Sequence, residues 1–226
     1  MIWLRQMTTL MGKDLRIEWR SKDVMIAMLM FAFIVITVFA IVFDPASGAT
    51  HSLVPGILWA ALLFAGNLGM NRGIEREIEN NALNGLRVCP VSRSAVYVGK
   101  LLSQLIFMLV TAVIVLPFLI VFFDMNMPAR PLCFVCILLL GCIGYSASGT
   151  FLAAMAVKTR ARDLMLPVLL FPLAVPVILA AVRGTTLVWY SGTSSGYIAA
   201  WLRMLLAFDV IIITACILMF DYVMDE

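Results

Sequence analysis

Long apolar runs alternate with short polar segments along the whole chain. The six runs lie at residues 24–43, 54–70, 101–123, 132–157, 164–182 and 201–220. An α-helix rises about 1.5 Å per residue, so crossing a hydrocarbon core of about 30 Å takes roughly 20 residues. Every run is close to that length. The pattern therefore predicts an all-α integral membrane protein with six transmembrane helices.

The composition agrees with a single membrane domain. Of the 226 residues, 63% are hydrophobic and 13% are charged, whereas soluble domains are closer to one half and one quarter. The longest segment between two runs is residues 71–100. We therefore expect one membrane domain over residues 1–226, without an ATPase module of its own.

The distribution of basic residues predicts the orientation in the membrane. If the N-terminus is cytoplasmic, all Lys and Arg residues except Arg130, Arg183 and Arg203 fall in cytoplasmic segments. Basic residues concentrate on the cytoplasmic side of membrane proteins, so we expect both termini there. The net charge of +3 follows from this distribution and does not call for a nucleic-acid partner.

The N-terminal segment 2–22 has the pattern of a helix lying on the membrane surface. Apolar residues that include Trp3, Leu10, Leu15 and Trp19 recur at helical spacing, and charged residues fill much of the remaining surface. Such a helix places its apolar stripe at the acyl boundary of the lipid bilayer and its basic residues near anionic headgroups. We expect an interfacial helix.

The cytoplasmic segment 71–100 mixes apolar residues with charges of both signs. Pro90 restricts the preceding residue, so a helix in this segment ends at or before Cys89. We interpret the segment as a short amphipathic helix followed by a turn, suited to docking on a soluble partner. An ordinary solvated loop is the alternative, because charge runs are often only solvated.

Two apolar runs contain unusual residues. Asp209 lies about 12 Å along the sixth run, where a carboxylate is costly and is a functional candidate. A position near the outer interface is the alternative. The fifth run contains Pro167, Pro172 and Pro176, and each removes a backbone donor. These prolines predict a kinked helix inside the bundle, where neighbours satisfy the freed carbonyls.

Patterns typical of catalysis are missing from the sequence. No phosphate-binding Gly-rich loop occurs, and His51 is the only histidine, which excludes a multi-histidine metal site within one chain. His51 is either an exposed loop residue or a single axial haem ligand. Residues 183–200, which we place outside, either stay at the interface or dip back into the membrane. We expect a non-catalytic membrane subunit.

Several strings, taken in their order and spacing, resemble one known family. They are residues 13–18 (KDLRIE), 82–90 (ALNGLRVCP), 93–100 (RSAVYVGK), 158–163 (KTRARD), 166–172 (LPVLLFP) and 208–210 (FDV). Together they make the chain similar, over essentially its whole length, to the haem exporter protein B family. That family supplies the permease subunit of the cytochrome c maturation ABC transporter complex.

The resemblance implies a type-2 ABC exporter permease fold with an N-terminal interfacial helix, in the bacterial inner membrane. It implies that an ABC ATPase subunit binds ATP and docks on a coupling helix at about residues 72–86. The docking residues implied are Arg72, Glu75, Arg76, Glu77, Glu79, Leu83 and Leu86.

The other implied partners are a haem-handling membrane subunit, a periplasmic haem chaperone and a second copy of the chain. Haem would be the cargo of the complex, and we favour ATP-driven release of the loaded chaperone over passage of haem through this subunit. Two other functions remain open: an ABC exporter of another lipid or small molecule, and an ion-coupled carrier that uses Asp209.

Overall fold

The computed structural model describes residues 2–43, 48–79, 92–156, 162–189 and 195–225. Within these ranges the chain forms seven α-helices and no strand. The helices are α1 (Ile2–Ser21), α2 (Asp23–Val42), α3 (Gly48–Glu79), α4 (Arg93–Phe122), α5 (Pro131–Ala156), α6 (Arg162–Trp189) and α7 (Ser195–Asp225).

Helices α2 to α7 are long and apolar enough to cross a membrane, which confirms the predicted fold class of six spans preceded by a separate helix. Helices α2 and α5 match the predicted runs to within one residue at each end. The other four helices continue into the polar segments, by six to nine residues at one or both ends. Hydropathy marks where the hydrocarbon ends, whereas backbone hydrogen bonding extends a helix through polar residues as well.

Because these helices are longer than predicted, several residues expected in loops or in a separate helix lie within a membrane-spanning helix. Residues 72–79, expected in a separate short helix, continue α3 directly from the membrane span. His51 lies in the first turns of α3 and not in a loop. Helix α6 runs without interruption through the prolines of the fifth run and reaches Trp189, so Arg183 is helical.

Helix α5 occupies the centre of the bundle. It packs against α3, α4, α6 and α7, and small residues on its surface allow these neighbours to approach closely. A Cβ atom at Gly141 would overlap the ring of Trp59 on α3, and one at Gly149 would overlap the side chain of Met70. These positions need glycine because side chains of α3 occupy the space beside the α5 backbone.

Helices α2 and α7 lie at the periphery and expose apolar side chains such as Ile41 and Ile211. In a bilayer such side chains face lipid. Helix α1 packs chiefly against α4, with a smaller contact to α2. The amphipathic N-terminal helix therefore rests on one end of the bundle, beside the end of α3 and the start of α4.

Candidate functional site

The end of α1, the start of α2 and the end of α3 meet at the buried side chain of Glu18. Arg76 on α3 donates from Nη1 to Oε2 of Glu18 at 3.0 Å, and from Nη2 to Oγ of Ser21 at 2.7 Å and to the carbonyl of Ile17 at 3.3 Å. The backbone N–H of Met25 on α2 donates to Oε1 of Glu18 at 2.8 Å. One carboxylate therefore joins three helices, and one guanidinium bridges α3 to the end of α1.

A second ion pair joins α3 to α4. Lys100 near the start of α4 pairs with Glu77 on α3. Asp14 on α1 lies close enough to Glu77 for their charges to interact, and it pairs with Lys13 at 3.2 Å. Burial raises the pKa of Asp14, the charge of Glu77 raises it further, and Lys13 opposes both effects. Acidic and basic residues of α1, α3 and α4 thus converge where α1 packs beside the end of α3 and the start of α4.

The first half of α1 lies along the beginning of α4. The indole N–H of Trp3 donates to Oγ of Ser94 at 3.1 Å, and Oε1 of Gln6 accepts from the hydroxyl of Ser92 at 3.3 Å. At Gly99 a Cβ atom would lie 3.2 Å from a side-chain carbon of Leu10 and 3.3 Å from a backbone carbonyl of α1. The absence of a side chain at Gly99 lets the two backbones approach. We call this assembly of α1 with the end of α3 and the start of α4 the helix clamp.

The predicted docking residues fall into two groups, according to whether their side chains take part in the clamp. Arg76 and Glu77 turn inward and hold the clamp together. Arg72 and Glu75 turn outward and pair with each other at 3.4 Å, with side-chain exposures of 58% and 35%. Glu79 is the last residue of α3, whereas residues 83 and 86 lie outside the part of the chain that the structure describes.

The sequence pattern groups Glu18 with the charged residues on the face of α1 opposite the apolar stripe, but this prediction is wrong because the structure buries its side chain. Glu18 nevertheless carries a sequence signal for burial. It follows Met11 by seven positions and Leu15 by three, so helical spacing places it on the face that those residues form. A buried carboxylate on the apolar face of an amphipathic helix needs a cation in contact with it, and Arg76, which is half-buried, supplies it.

Asp209 lies deep in the membrane part of the bundle and is 4% exposed. Helix α7 begins at Ser195, so Asp209 is about 21 Å along the helix and not near its outer end. Neither carboxylate oxygen has a hydrogen-bond partner among the described residues. A Cβ atom at Gly144 would overlap Oδ1 of Asp209 and would lie 3.2 Å from Val177. The carboxyl group therefore packs where α5, α6 and α7 meet.

Within the described ranges, no three His, Cys, Asp or Glu side chains converge in a way that would hold a metal ion. The candidate features are thus a charged helix clamp and a single carboxyl group buried among the membrane-spanning helices, and we interpret the chain as a membrane-embedded protein.

Comparison with known proteins supports this interpretation. A family model described as "CcmB protein" matches residues 5–222. The chain is 31% identical over 173 residues to the heme exporter protein B of Rhodobacter capsulatus, which covers 76% of this chain and 79% of that protein. It is 26% identical over 199 residues to the heme exporter protein B of Pseudomonas aeruginosa, which covers 88% of each chain.

Proposed function

Because the chain belongs to the CcmB protein family, we propose that it is the haem-export permease subunit of an ABC transporter for c-type cytochrome biogenesis. Its curated relatives carry the name heme exporter protein B. In this proposal a separate ATPase subunit supplies the energy, and the complex delivers haem or releases a haem-loaded periplasmic chaperone. The chain acts in the bacterial inner membrane with both termini in the cytoplasm.

The observation that carries the proposal is the helix clamp, which we place on the cytoplasmic side of the membrane. The ion pair of Arg76 with Glu18 ties α1 to the end of α3, and the ion pair of Lys100 with Glu77 ties that end of α3 to the start of α4. A force applied at the connection between α3 and α4 would reach both spans as a tilt, because their ends are held to each other and to α1. Packed helices of this kind respond to such a force by sliding or rotating as units.

The ATPase contact lies on the outward side of the clamp. Arg72 and Glu75 face away from the bundle and pair with each other, so a partner protein can compete for both at low cost. By resemblance to the family we also assign Glu79, Leu83 and Leu86 to ATPase docking. Arg76 and Glu77 act as frame residues that transmit the force and do not touch the ATPase.

A charge reversal tests the contact. In the complete complex, the double variant R72E/E75K should lose most of the co-purifying ATPase, because rim charges that complemented the partner now repel it. The variant R20E is the matched control, since Arg20 is also exposed, basic and cytoplasmic but lies on α1. Equal recovery of the ATPase with R72E/E75K and with the wild type would contradict the proposed contact.

A second experiment tests the biological role. Deletion of the gene should abolish covalent haem in c-type cytochromes, and a plasmid copy of the wild type should restore it, whereas R72E/E75K should not. Normal cytochrome c maturation in the deletion strain, together with sensitivity to a particular compound, would favour an exporter of another lipid or small molecule.

The remaining partners follow from the same proposal. The exposed apolar faces of α2 and α7 provide surfaces for a second copy of the chain and for the haem-handling membrane subunit. Cross-linking through single cysteines on either face would assign each surface to its partner.

A further inference from the structure

Asp209 lies at the level of the midpoints of three membrane-spanning helices. It is one residue past the centre of the span Gly196–Phe220, and Val177 is the central residue of the span Met165–Trp189. Gly144, whose missing side chain makes room for the carboxyl group, is at the middle of α5. The centres of three helices therefore surround this one carboxyl group, as far from water on either side as the bundle allows.

Among the described residues, the surroundings of Asp209 offer no fixed positive charge. Helix α5 has no charged residue along its length. Helix α4 has no titratable residue within two turns of its midpoint. The titratable or charged side chains within two turns of the midpoints of α5, α6 and α7 are Cys142, Tyr145, Arg183, Arg203 and Cys216. The two arginines are exposed. Arg183 lies about 9 Å along α6 from Val177, and Arg203 lies about 9 Å along α7 from Asp209.

We propose that the packed junction of α5, α6 and α7 is a proton-binding site in which Asp209 is held as the neutral acid. When the three helices pack, the carboxylate takes up one proton from water and forms the O–H bond. When α7 moves away from Gly144 and water enters, the O–H bond breaks, the proton passes to water and the hydrated carboxylate remains. Each chain thus binds one proton on packing of this junction and releases it on opening.

The cost of the charged form drives this linkage. An ionised carboxylate without a counter-ion is very unfavourable in a medium of low polarity, whereas a neutral acid carries only the smaller cost of an unpaired polar group. Intramembrane acidic residues are for this reason commonly proton carriers. Gly144 is essential, because a side chain there would occupy the position of the carboxyl oxygen.

Infrared difference spectroscopy tests the protonation state directly. The wild type, reconstituted in lipid at neutral pH, should give the carbonyl stretch of a protonated carboxylic acid, and D209N should lack that band. D124N is the matched control, because Asp124 is an exposed aspartate in the turn that follows α4, and it should retain the band. A wild-type spectrum whose protonated-acid region is identical to that of D209N would overturn the proposal.

The pH dependence of stability gives a second, independent readout. The packed state holds one more proton than the opened state, so its equilibrium constant should fall by up to about tenfold per unit rise in pH around neutrality. D209N should lose this part of the slope while D124N keeps it. If D209N does not fold, G144A replaces it, since the added methyl group displaces the carboxyl and should weaken the infrared band.

A charged Asp209 would give different results in two further measurements. If the carboxylate holds an alkali cation, adding sodium or potassium chloride at constant ionic strength will stabilise the wild type but not D209N. If it pairs with an outer arginine, the variants R183Q and R203Q will create the protonated-acid band that the wild type lacks. Either result would overturn the proton-binding site.

Discussion

Removing the guanidinium of Arg76 should release α1 from the bundle. In the variant R76A, Glu18 would keep a buried charge with the backbone N–H of Met25 as its remaining partner among the described residues. The hydrogen bonds from Arg76 to Ser21 and to the Ile17 carbonyl would be lost as well. Exposed ion pairs contribute about 0–1 kcal/mol, whereas breaking a buried pair costs about 3–5 kcal/mol.

The expected cost lies between these limits. The side chain of Glu18 is 3% exposed, but that of Arg76 is 25% exposed, so water compensates part of the loss. We expect the docking of α1 to weaken by about 3 kcal/mol, which corresponds to a rise of roughly one hundredfold in the population of the undocked helix. Hydrogen exchange measured by mass spectrometry reads this population from the amides in the second half of α1.

Two further variants make the measurement decisive. R72A removes an exposed arginine one turn away that pairs with Glu75 on its own helix, and exchange in α1 should stay within about threefold of the wild type. The double variant E18Q/R76A should exchange more slowly than R76A, because no buried charge is left alone. If R76A and R72A exchange at similar rates, Glu18 and Arg76 do not hold α1 in place.

Three further predictions concern other contacts. G141A should lower the thermal unfolding temperature, because the added Cβ atom overlaps Trp59 and overpacking costs about 1–3 kcal/mol. Its control is G73A, where the space beside the glycine is open, and this variant should be neutral or stabilising by up to about 1 kcal/mol. Burial raises the pKa of the Asp14 carboxyl above its ordinary value of 3.8. Its contribution to the docking of α1 is therefore fully present below pH 3.8 and is lost as the pH rises through the raised pKa. D14N should slow hydrogen exchange in α1 at neutral pH, and faster exchange would contradict the burial of a charged Asp14. Y145F removes a hydroxyl that donates to an α3 carbonyl at 2.7 Å and should lower stability by about 1 kcal/mol in the same unfolding assay.

The effect of these variants on transport depends on where each contact lies. Changes at Arg72 and Glu75 should affect the ATPase without loosening the bundle, whereas changes at Arg76 and Glu77 should do both. All four belong to the predicted docking helix, because the sequence does not indicate which side of that helix faces the rest of the protein. The contacts of Arg76 with α1 and of Glu77 with α4 decide that question.

The sequence by itself determined the class of the protein, its six spans and its N-terminal amphipathic helix. These are local properties, since the length and hydropathy of each run decide whether that run can cross a bilayer, independently of its neighbours. The strings shared with a known family also lie in continuous stretches of chain, so the family was recognisable before the fold was known.

Only the tertiary structure decided which polar residues have partners. Glu18 meets Arg76 across 58 positions, and Asp209 meets Gly144 through the packing of α7 on α5. Both carboxyl groups are buried, but one lies beside a guanidinium and the other beside a bare backbone. Burial and the distance to a counter-charge depend on how separate helices pack, and no local pattern of residues carries that information.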